Sequence, residues 1–466
     1  MHFKSSIKML LPIAVVAIGM LFTGCIKDSK DLGGQTIPDD YTLRVGTLRI
    51  NLPLQSKIVD SIQGISTTTG MLGAIRTPEL GLATFYFGVN YCPSTLRFRF
   101  GEDQIVKSCY LTFVKAGSSV ADKSQERIPQ TFHIFRMTRA IDTVNIYNTG
   151  LKETDFIPEP IEDGGLIYAG QDTLRAFLKE SFAYDLLNAS QWALDSTNHF
   201  LEEFKGLLFT CDDPIGYGGR LNQFTVTKAY IQLTINYRPT WKPGLERKDT
   251  TFQFLFGADD IQNFSTYESK ALETAALTET IPVEGIGGIK PFLNPLRLKD
   301  SIERFLSING IEKERFIIGR ARYYLPYTMP TNMNDLNYYY PAYLYPCYKY
   351  VRSTDGVHRY YTLEDVYTED NNHGLMNRSF GYYYGDISSW VQHIALKERS
   401  EIKYNTFDAL WFCPLTATQS STSYYSNSTS TSYSPSVTDY VKGTINGALS
   451  TNPPYLEIVY TILPKN

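Results

Sequence analysis

Thr225–Tyr237, read TVTKAYIQLTINY, is the stretch that decides the fold. Apolar and polar residues alternate towards its end, so Ile231, Leu233, Ile235 and Tyr237 share one face of an extended chain. Its β-branched and aromatic content is that of a strand with one buried side. Thr131–Met137 (TFHIFRM) and Leu456–Ile462 (LEIVYTI) have the same character, with Gly, Pro, Asn and Asp between such runs. The expected fold is all-β: two tandem β-sandwich, jelly-roll-like domains with a few short peripheral helices.

Three helices are expected. Thr173–Asn188 carries Leu174, Leu178, Phe182 and Leu186 at four-residue spacing behind Asp172 or Thr173 as N-cap. A second begins at Asp300, turns Ile302, Phe305 and Leu306 inward and stops at Asn309-Gly310. Asp386–Leu396 forms the third, with Ile387, Trp390, Val391 and Ile394 on one face.

The two halves of the chain resemble one another. Phe204–Phe209 (FKGLLF) matches Phe407–Phe412 (FDALWF), and Leu233–Tyr237 matches Leu456–Tyr460. Val106–Phe113 (VKSCYLTF) aligns with Ile318–Leu325 (IGRARYYL). Three matches in one order point to an internal repeat. The cysteines near the first pair do not superpose, since Thr210 falls opposite Cys413 and Cys211 opposite Pro414, which argues against a repeated metal or redox site.

A chain of 466 residues, 43% hydrophobic and 20% charged, exceeds one ordinary core. Tyr237-Arg238-Pro239 closes the first domain, and the polar stretch Thr240–Asp249 is the natural linker. The expected division is a signal peptide at 1–24, a lipidated tether at 25–40, a first β-sandwich at 41–245 and a second at 246–466. Thr416–Ser436, almost wholly Ser, Thr and Tyr, is expected to be a long loop between two late strands. About two thirds of the 34 tyrosines follow residue 240.

The start of the chain sets its location. Lys4 and Lys8 precede an apolar run from Met9 to Phe22, the proportions of a secretory signal and short for a spanning helix. Leu21-Phe22-Thr23-Gly24-Cys25 then reads as a lipobox, with small residues ahead of the thiol that takes the diacylglyceryl group. Each buried CH2 contributes about 0.8 kcal/mol, and two or more acyl chains anchor stably. Lipidated Cys25 would therefore hold the chain at a membrane surface, with everything after it outside the bilayer.

The lipobox, Asp60-Ser61-Ile62, Gly70-Met71-Leu72-Gly73, Thr77-Pro78-Glu79-Leu80-Gly81-Leu82-Ala83 and the two domain-closing strands together resemble a family of Bacteroidetes outer-membrane lipoproteins known only as a domain of unknown function. The resemblance covers nearly all of the mature chain, and the TPELGLA segment is its most specific part. It implies an outer-membrane lipoprotein, palmitoylated at Cys25, on the cell surface or the periplasmic face. It carries no catalytic residue over.

Net charge of -4 and the lack of a basic, aromatic-interleaved cluster argue against a nucleic-acid partner. Cys92, Cys109, Cys211, Cys347 and Cys413 are too sparse for a disulfide framework. No GxSxG elbow, HExxH helix or phosphate loop occurs, and Gly285–Lys290 and Gly216–Arg220 read as turns. His133, His199, His358, His373 and His393 lack ligand spacing, so no metal and no cofactor are expected; only Asp212-Asp213 and Glu369–Asn372 offer oxygens for a structural Ca2+.

The remaining clue is tyrosine. Tyr338-Tyr339-Tyr340, Tyr343, Tyr345, Tyr348 and Tyr350 crowd one segment, with further groups at Tyr360-Tyr361 and Tyr382-Tyr383-Tyr384. Tyrosine supplies contact area and a hydroxyl at low entropic cost, which suits sugar rings and protein partners alike. Tyr338, Tyr340, Tyr343, Tyr345 and Tyr348 are the expected ligand contacts. The expected function is non-catalytic binding or assembly at the envelope, for a glycan or another envelope protein. The alternatives are a polysaccharide-processing enzyme with a carboxylate pair and a structural spacer.

Overall fold

A computed structural model describes residues 42–59, 65–66, 68–141, 151–240, 244, 246–351, 358–364, 374–404, 406–421 and 429–465. The signal segment, Cys25, the tether and Glu369–Asn372 lie outside these residues, as does Asp60-Ser61-Ile62. The fold is all-β, half of it strand, in several antiparallel sheets.

The described chain opens with β1 (Arg44–Asn51), β2 (Leu54–Ile58) and β3 (Ile65–Ser66). The rest of the first half comprises β4 (Thr69–Thr77), β5 (Gly81–Pro93), β6 (Glu102–Val120), β7 (Gln130–Arg136), β8 (Leu166–Tyr168), β9 (Thr173–Phe177), β10 (Leu207–Cys211) and β11 (Gly218–Arg238). Between β9 and β10 stand α1 (Glu180–Leu187), α2 (Gln191–Asp195) and α3 (Thr197–Glu203). The second half runs β12 (Lys248–Tyr267), β13 (Thr280–Glu284), β14 (Ile289–Leu293), α4 (Pro295–Ile308), β15 (Phe316–Pro326), α5 (Asp335–Tyr338) and β16 (Leu344–Val351). It continues through β17 (His358–Thr362), β18 (Met376–Asn377), β19 (Tyr382–Asp386), α6 (Ser388–Leu396), β20 (Leu410–Ser421), β21 (Thr429–Pro435), β22 (Lys442–Asn446) and β23 (Tyr455–Ile462).

The pairings of the first half recur in the second. Leu207 of β10 faces Arg136 and Val89, and Leu410 of β20 faces Tyr348 and Leu293. Tyr110 faces Phe177 and Arg322 faces Asp386, the matched positions of VKSCYLTF and IGRARYYL. Arg220 faces Ala74 as Gly443 faces Val283. Even the bulges agree: the ladder skips Lys107 in β6 and Gly319 in β15. One slip occurs. Leu233 faces Cys109, whereas Leu456 faces Tyr323, two residues beyond the matched position. A two-residue shift keeps every side chain on its face, so the core is undisturbed.

Prolines stand where the sheets of the second half divide. In the first half β11 and β12 are continuous 21- and 20-residue strands that fuse the pairings into one ten-stranded sheet. In the second, Pro453-Pro454 separates β22 from β23 and Pro53 separates β1 from β2. Proline lacks a backbone donor, and although Pro282, Pro291, Pro346 and Pro414 are accommodated within strands, at these two breaks the same pairings divide among sheets of five, two and six strands.

Sheet membership and chain order do not coincide. A division near residue 245 falls between β11 and β12, yet β12 pairs with β11 from Tyr237↔Lys248 to Tyr230↔Leu255 and then with β5. The equivalent place in the second half is filled from the other end of the chain. β1 pairs with β23 over Arg44↔Ile462 to Asn51↔Tyr455, and β2 pairs with β14 over Leu54↔Leu293 to Ile58↔Ile289. The first half is thus one contiguous segment, whereas the second is completed by the N-terminal strands.

Two large cores result. One, drawn wholly from residues 72–261, packs Phe87, Phe113, Phe209 and Phe224. The other holds the second half's apolar residues with Ile50, Leu52, Leu54 and Val59, and adds Met71, Ile75, Ala83, Phe85 and Leu221 from the first half. No gap therefore separates the halves: Phe85 meets Tyr267 and Tyr440 edge-on at 5.9 and 6.0 Å.

Two local expectations are corrected. Thr173–Phe177 is a strand, because β6 offers it a ladder that buries Leu174 and Ala176, and helix begins only at Glu180. Tertiary pairing overrides the four-residue spacing. Thr416–Ser436 is no simple loop: β20 and β21 extend as a hairpin from Leu415↔Pro435 to Ser421↔Thr429, whose backbone bonds need no core beneath them. α4 starts earlier than expected, at Pro295 behind the Asn294 cap, and ends at Asn309-Gly310 as expected. α6 buries Trp390, Val391 and Ile394 completely.

Candidate functional site

A cleft of about 530 Å³ opens where the halves meet. One wall is the turn between β4 and β5, Arg76-Thr77-Pro78-Glu79, the start of the TPELGLA segment. Pro78 and Glu79 form the tight turn, Thr77 Oγ1 accepts from Leu80 N at 3.1 Å, and Gly81 takes a positive φ of 75°. A Cβ at Gly81 would meet the Glu268 carboxylate, which accepts from Leu82 N at 2.8 Å and pairs with Arg76 at 3.4 Å. Glu268 therefore fixes the turn from behind.

The other walls are matched loops of the two halves. After β6, Asp122 caps a single 3-10 turn at Lys123–Gln125. After β15, Asn334 precedes α5 at the aligned position. The backbone N–H of Ser124 and then its side chain hold the Asp122 carboxyl below its ordinary range. The loops touch: Lys123 N donates to Tyr339 Oη at 2.8 Å, and Lys123 Nζ lies 5.6 Å from the Tyr338 ring centroid. Lys442 Nζ lies 5.4 Å from the Tyr339 centroid and 3.9 Å from Glu79. Tyr217, two thirds exposed between Gly216 and Gly218, completes the lining.

The cleft thus presents tyrosine rings backed by ammonium groups, with Asn332, Asn334, Glu79 and Asp335 beside them. Such a surface can stack on the apolar face of a sugar ring or an aromatic group while bonding hydroxyls at its edge.

The five expected tyrosines do not form one surface. Tyr338 alone of them lines the cleft, half-exposed on α5. Tyr340 is half-buried against Tyr327 at 5.8 Å, with its hydroxyl pushed to a higher pKa by burial. Tyr343 packs on Tyr433 at 5.2 Å, and Tyr348 on Phe407 and Tyr361 at 5.5 and 6.0 Å. Tyr345 is buried, 3% exposed, because β16 turns it into the core with Cys347. Lys123 and Lys442 were not singled out by the sequence; Tyr339 stood in the tyrosine cluster but not among the expected contacts, and Tyr217 only as part of the Gly216–Arg220 turn. A lone aromatic inside a glycine turn was the available signal for Tyr217.

Other candidates are structural. Asp212 bonds His133 Nε2 at 3.0 Å while Glu162 bonds Nδ1 at 3.1 Å. Burial lowers the His133 pKa, but the two carboxylates outweigh it and raise the value overall. His393 Nε2 donates to the Asp408 carboxylate at 3.0 Å, which Lys397 also pairs at 2.8 Å. Among the described residues no group of His, Cys, Asp and Glu is arranged to hold a metal ion, and no helix is long and apolar enough to cross a membrane. Of the expected turn Gly285–Lys290, Gly285–Gly288 joins β13 to β14, while Ile289 and Lys290 already belong to β14; likewise only Gly216 and Tyr217 of the expected turn Gly216–Arg220 precede β11. No protein-family model and no characterised protein matches the chain.

Proposed function

We propose that this is a lipid-anchored outer-membrane protein of the resembled Bacteroidetes family that binds a glycan, without turnover, in the cleft between its halves. The observation that carries the reading is the convergence of Tyr217, Tyr338 and Tyr339 with Lys123 and Lys442 in one cleft of sugar size. The TPELGLA segment, the most specific part of the resemblance, supplies the facing wall. Cys25 is the anchor and carries the acyl chains.

The test is binding of neutral and acidic oligosaccharides to the mature chain, with reducing ends assayed in parallel. At least one oligosaccharide is expected to bind with no new reducing ends. Tyr338→Ala with Tyr339→Ala is expected to weaken it about tenfold or more, equivalent to ~1.4 kcal/mol. Release of reducing ends would favour a carboxylate-pair enzyme instead, and equal affinity of the double variant would remove the cleft from consideration. Loss of acyl labelling and of membrane association in Cys25→Ala tests the anchor separately.

A further inference from the structure

The second half is not closed by its own contiguous sequence. Its acceptor groove runs along the β23 edge and then the β14 edge, and thirteen residue pairs with β1 and β2 fill it. Ile50, Leu52, Leu54 and Val59 enter the core there at 8, 0, 0 and 4% exposure. Leu52 N donates to Pro454 O at 2.8 Å, tying the break between β1 and β2 to the break between β22 and β23. After Val59 the chain next enters the first half at β3, where Ile65 and Ser66 pair with Gln262 and Ile261 of β12.

The matched groove in the first half, along β11 and β5, is filled by β12. Each groove is thus closed by a donor held in register by backbone pairing and by buried side chains. We infer that the groove along β23 and β14 also accepts β1–β2 from a second copy of this chain, so that two copies join by reciprocal strand exchange. The new interface would repeat the intramolecular one pair for pair, so the exchange creates no new contact and destroys none. The choice between the two forms is then set by concentration against the effective concentration of the tethered strand, which is in the millimolar range for a short link.

Chain order gives the exchange its opportunity. Leu48 pairs with Ile458, so β1 has no acceptor until the last strand exists, and during that interval it is free to meet another copy. The inference stands on the strand pairings and is independent of the cleft.

Thr47 and Val459 face each other across β1 and β23 and stand away from the core, which makes them the probes. Full-length chains carrying Thr47→Cys or Val459→Cys alone are mixed, unfolded, refolded together over a range of concentrations and oxidised. A chain carrying both substitutions is treated alongside. The double variant is expected to close an intrachain disulfide when dilute, and the mixture to give a covalent dimer whose share rises with concentration. Neither single variant alone should form that dimer in comparable yield. A double variant that closes while the mixture stays monomeric at every concentration would overturn the inference. A double variant that fails to close would overturn the pairing on which it rests.

Discussion

The two halves share their strand pairings and differ in how they are closed. In the first, β12 follows β11 through a short link and lies back on it; in the second, the same position is occupied by β1 and β2, roughly four hundred residues from β23 and about 240 from β14 along the chain. What the fold requires is a strand of the right pattern in the right register, not one from a neighbouring stretch of sequence. The comparison also shows where the halves are free to diverge. Ile75 in β4 is matched by Glu284 in β13, and Thr112 in β6 by Tyr324 in β15, while the backbone pairings around them stay the same.

The largest effect is expected from breaking one closure at a time. Leu52→Asp would put a charge at a fully buried site, costing about 4 kcal/mol or more. Because the strand completes the distant half, limited proteolysis of the variant should cut within 280–462 while 69–240 stays protected. Phe254→Asp in β12, equally buried, should invert the pattern. Cutting in the first half for both variants would show that closure follows chain order after all.

A smaller loss is expected from the solvent face of the second half. Tyr324 lies parallel to Tyr455 at 4.7 Å and to Tyr384 at 6.1 Å, and Arg49 caps the row 3.6 Å from the Tyr455 centroid. The corresponding row in the first half is Tyr230, Thr112 and Arg175. Aromatic pairs contribute about 0.5–1.5 kcal/mol each beyond area burial, so Tyr324→Ala should cost ~2 kcal/mol in chemical denaturation. Tyr324→Thr, which copies the first half, should cost as much; a neutral result would mean that the row merely clads the sheet.

Much of this was legible in the sequence. The alternation of Ile231, Leu233 and Ile235 gave the strand and its inward face, and the three matched segments fall on strands that pair alike. The Tyr382-Tyr383-Tyr384 triple behaves as period two demands, with Tyr383 buried and its neighbours outward. What was hidden is non-local. Nothing in Leu48–Asn51 says that its partners are Tyr455–Ile458, nor in Leu54 that its partner is Leu293. The cleft was hidden for the same reason: Lys123, Tyr217, Tyr339 and Lys442 become neighbours only through the seam. Tyr338 to Tyr348 looked like one surface because the segment passes from α5 through a turn into β16, so no single period orders its rings.

A further difference between the halves titrates. Glu284 is fully buried where the first half has Ile75, and its carboxylate takes bonds from Tyr440 at 2.9 Å and from Ser269. Burial raises its pKa above the ordinary value, against the smaller opposing effects of Ser269, Lys290 and Tyr440. A raised folded-state value means that its contribution is complete below the unfolded pKa and is lost as pH rises through the folded one. Glu284→Gln should therefore stabilise the chain at alkaline pH by about 1 kcal/mol, the scale of one buried polar group, with the gain vanishing in mild acid. A pH-independent difference in Tm would show that Glu284 is not the titrating group.

The smallest effect should come from the cleft, and it tests whether the seam holds the two halves' loops together. Lys123 belongs to the first half and Tyr338 to the second, both about half-exposed, and Lys123 also pairs with Glu126 at 2.8 Å. An exposed cation–π contact contributes about 0.5–1 kcal/mol, and surface substitutions usually stay within ~0.5 kcal/mol of wild type. Lys123→Ala and Tyr338→Ala should thus leave Tm nearly unchanged singly. Their double-mutant cycle should return a coupling of about 0.5 kcal/mol, because the contact is lost only once. A coupling of zero would mean that the ring and the ammonium do not meet in solution. The two loops would then be matched in sequence position without acting as one site, and the cleft would lose the cation behind the Tyr338 ring.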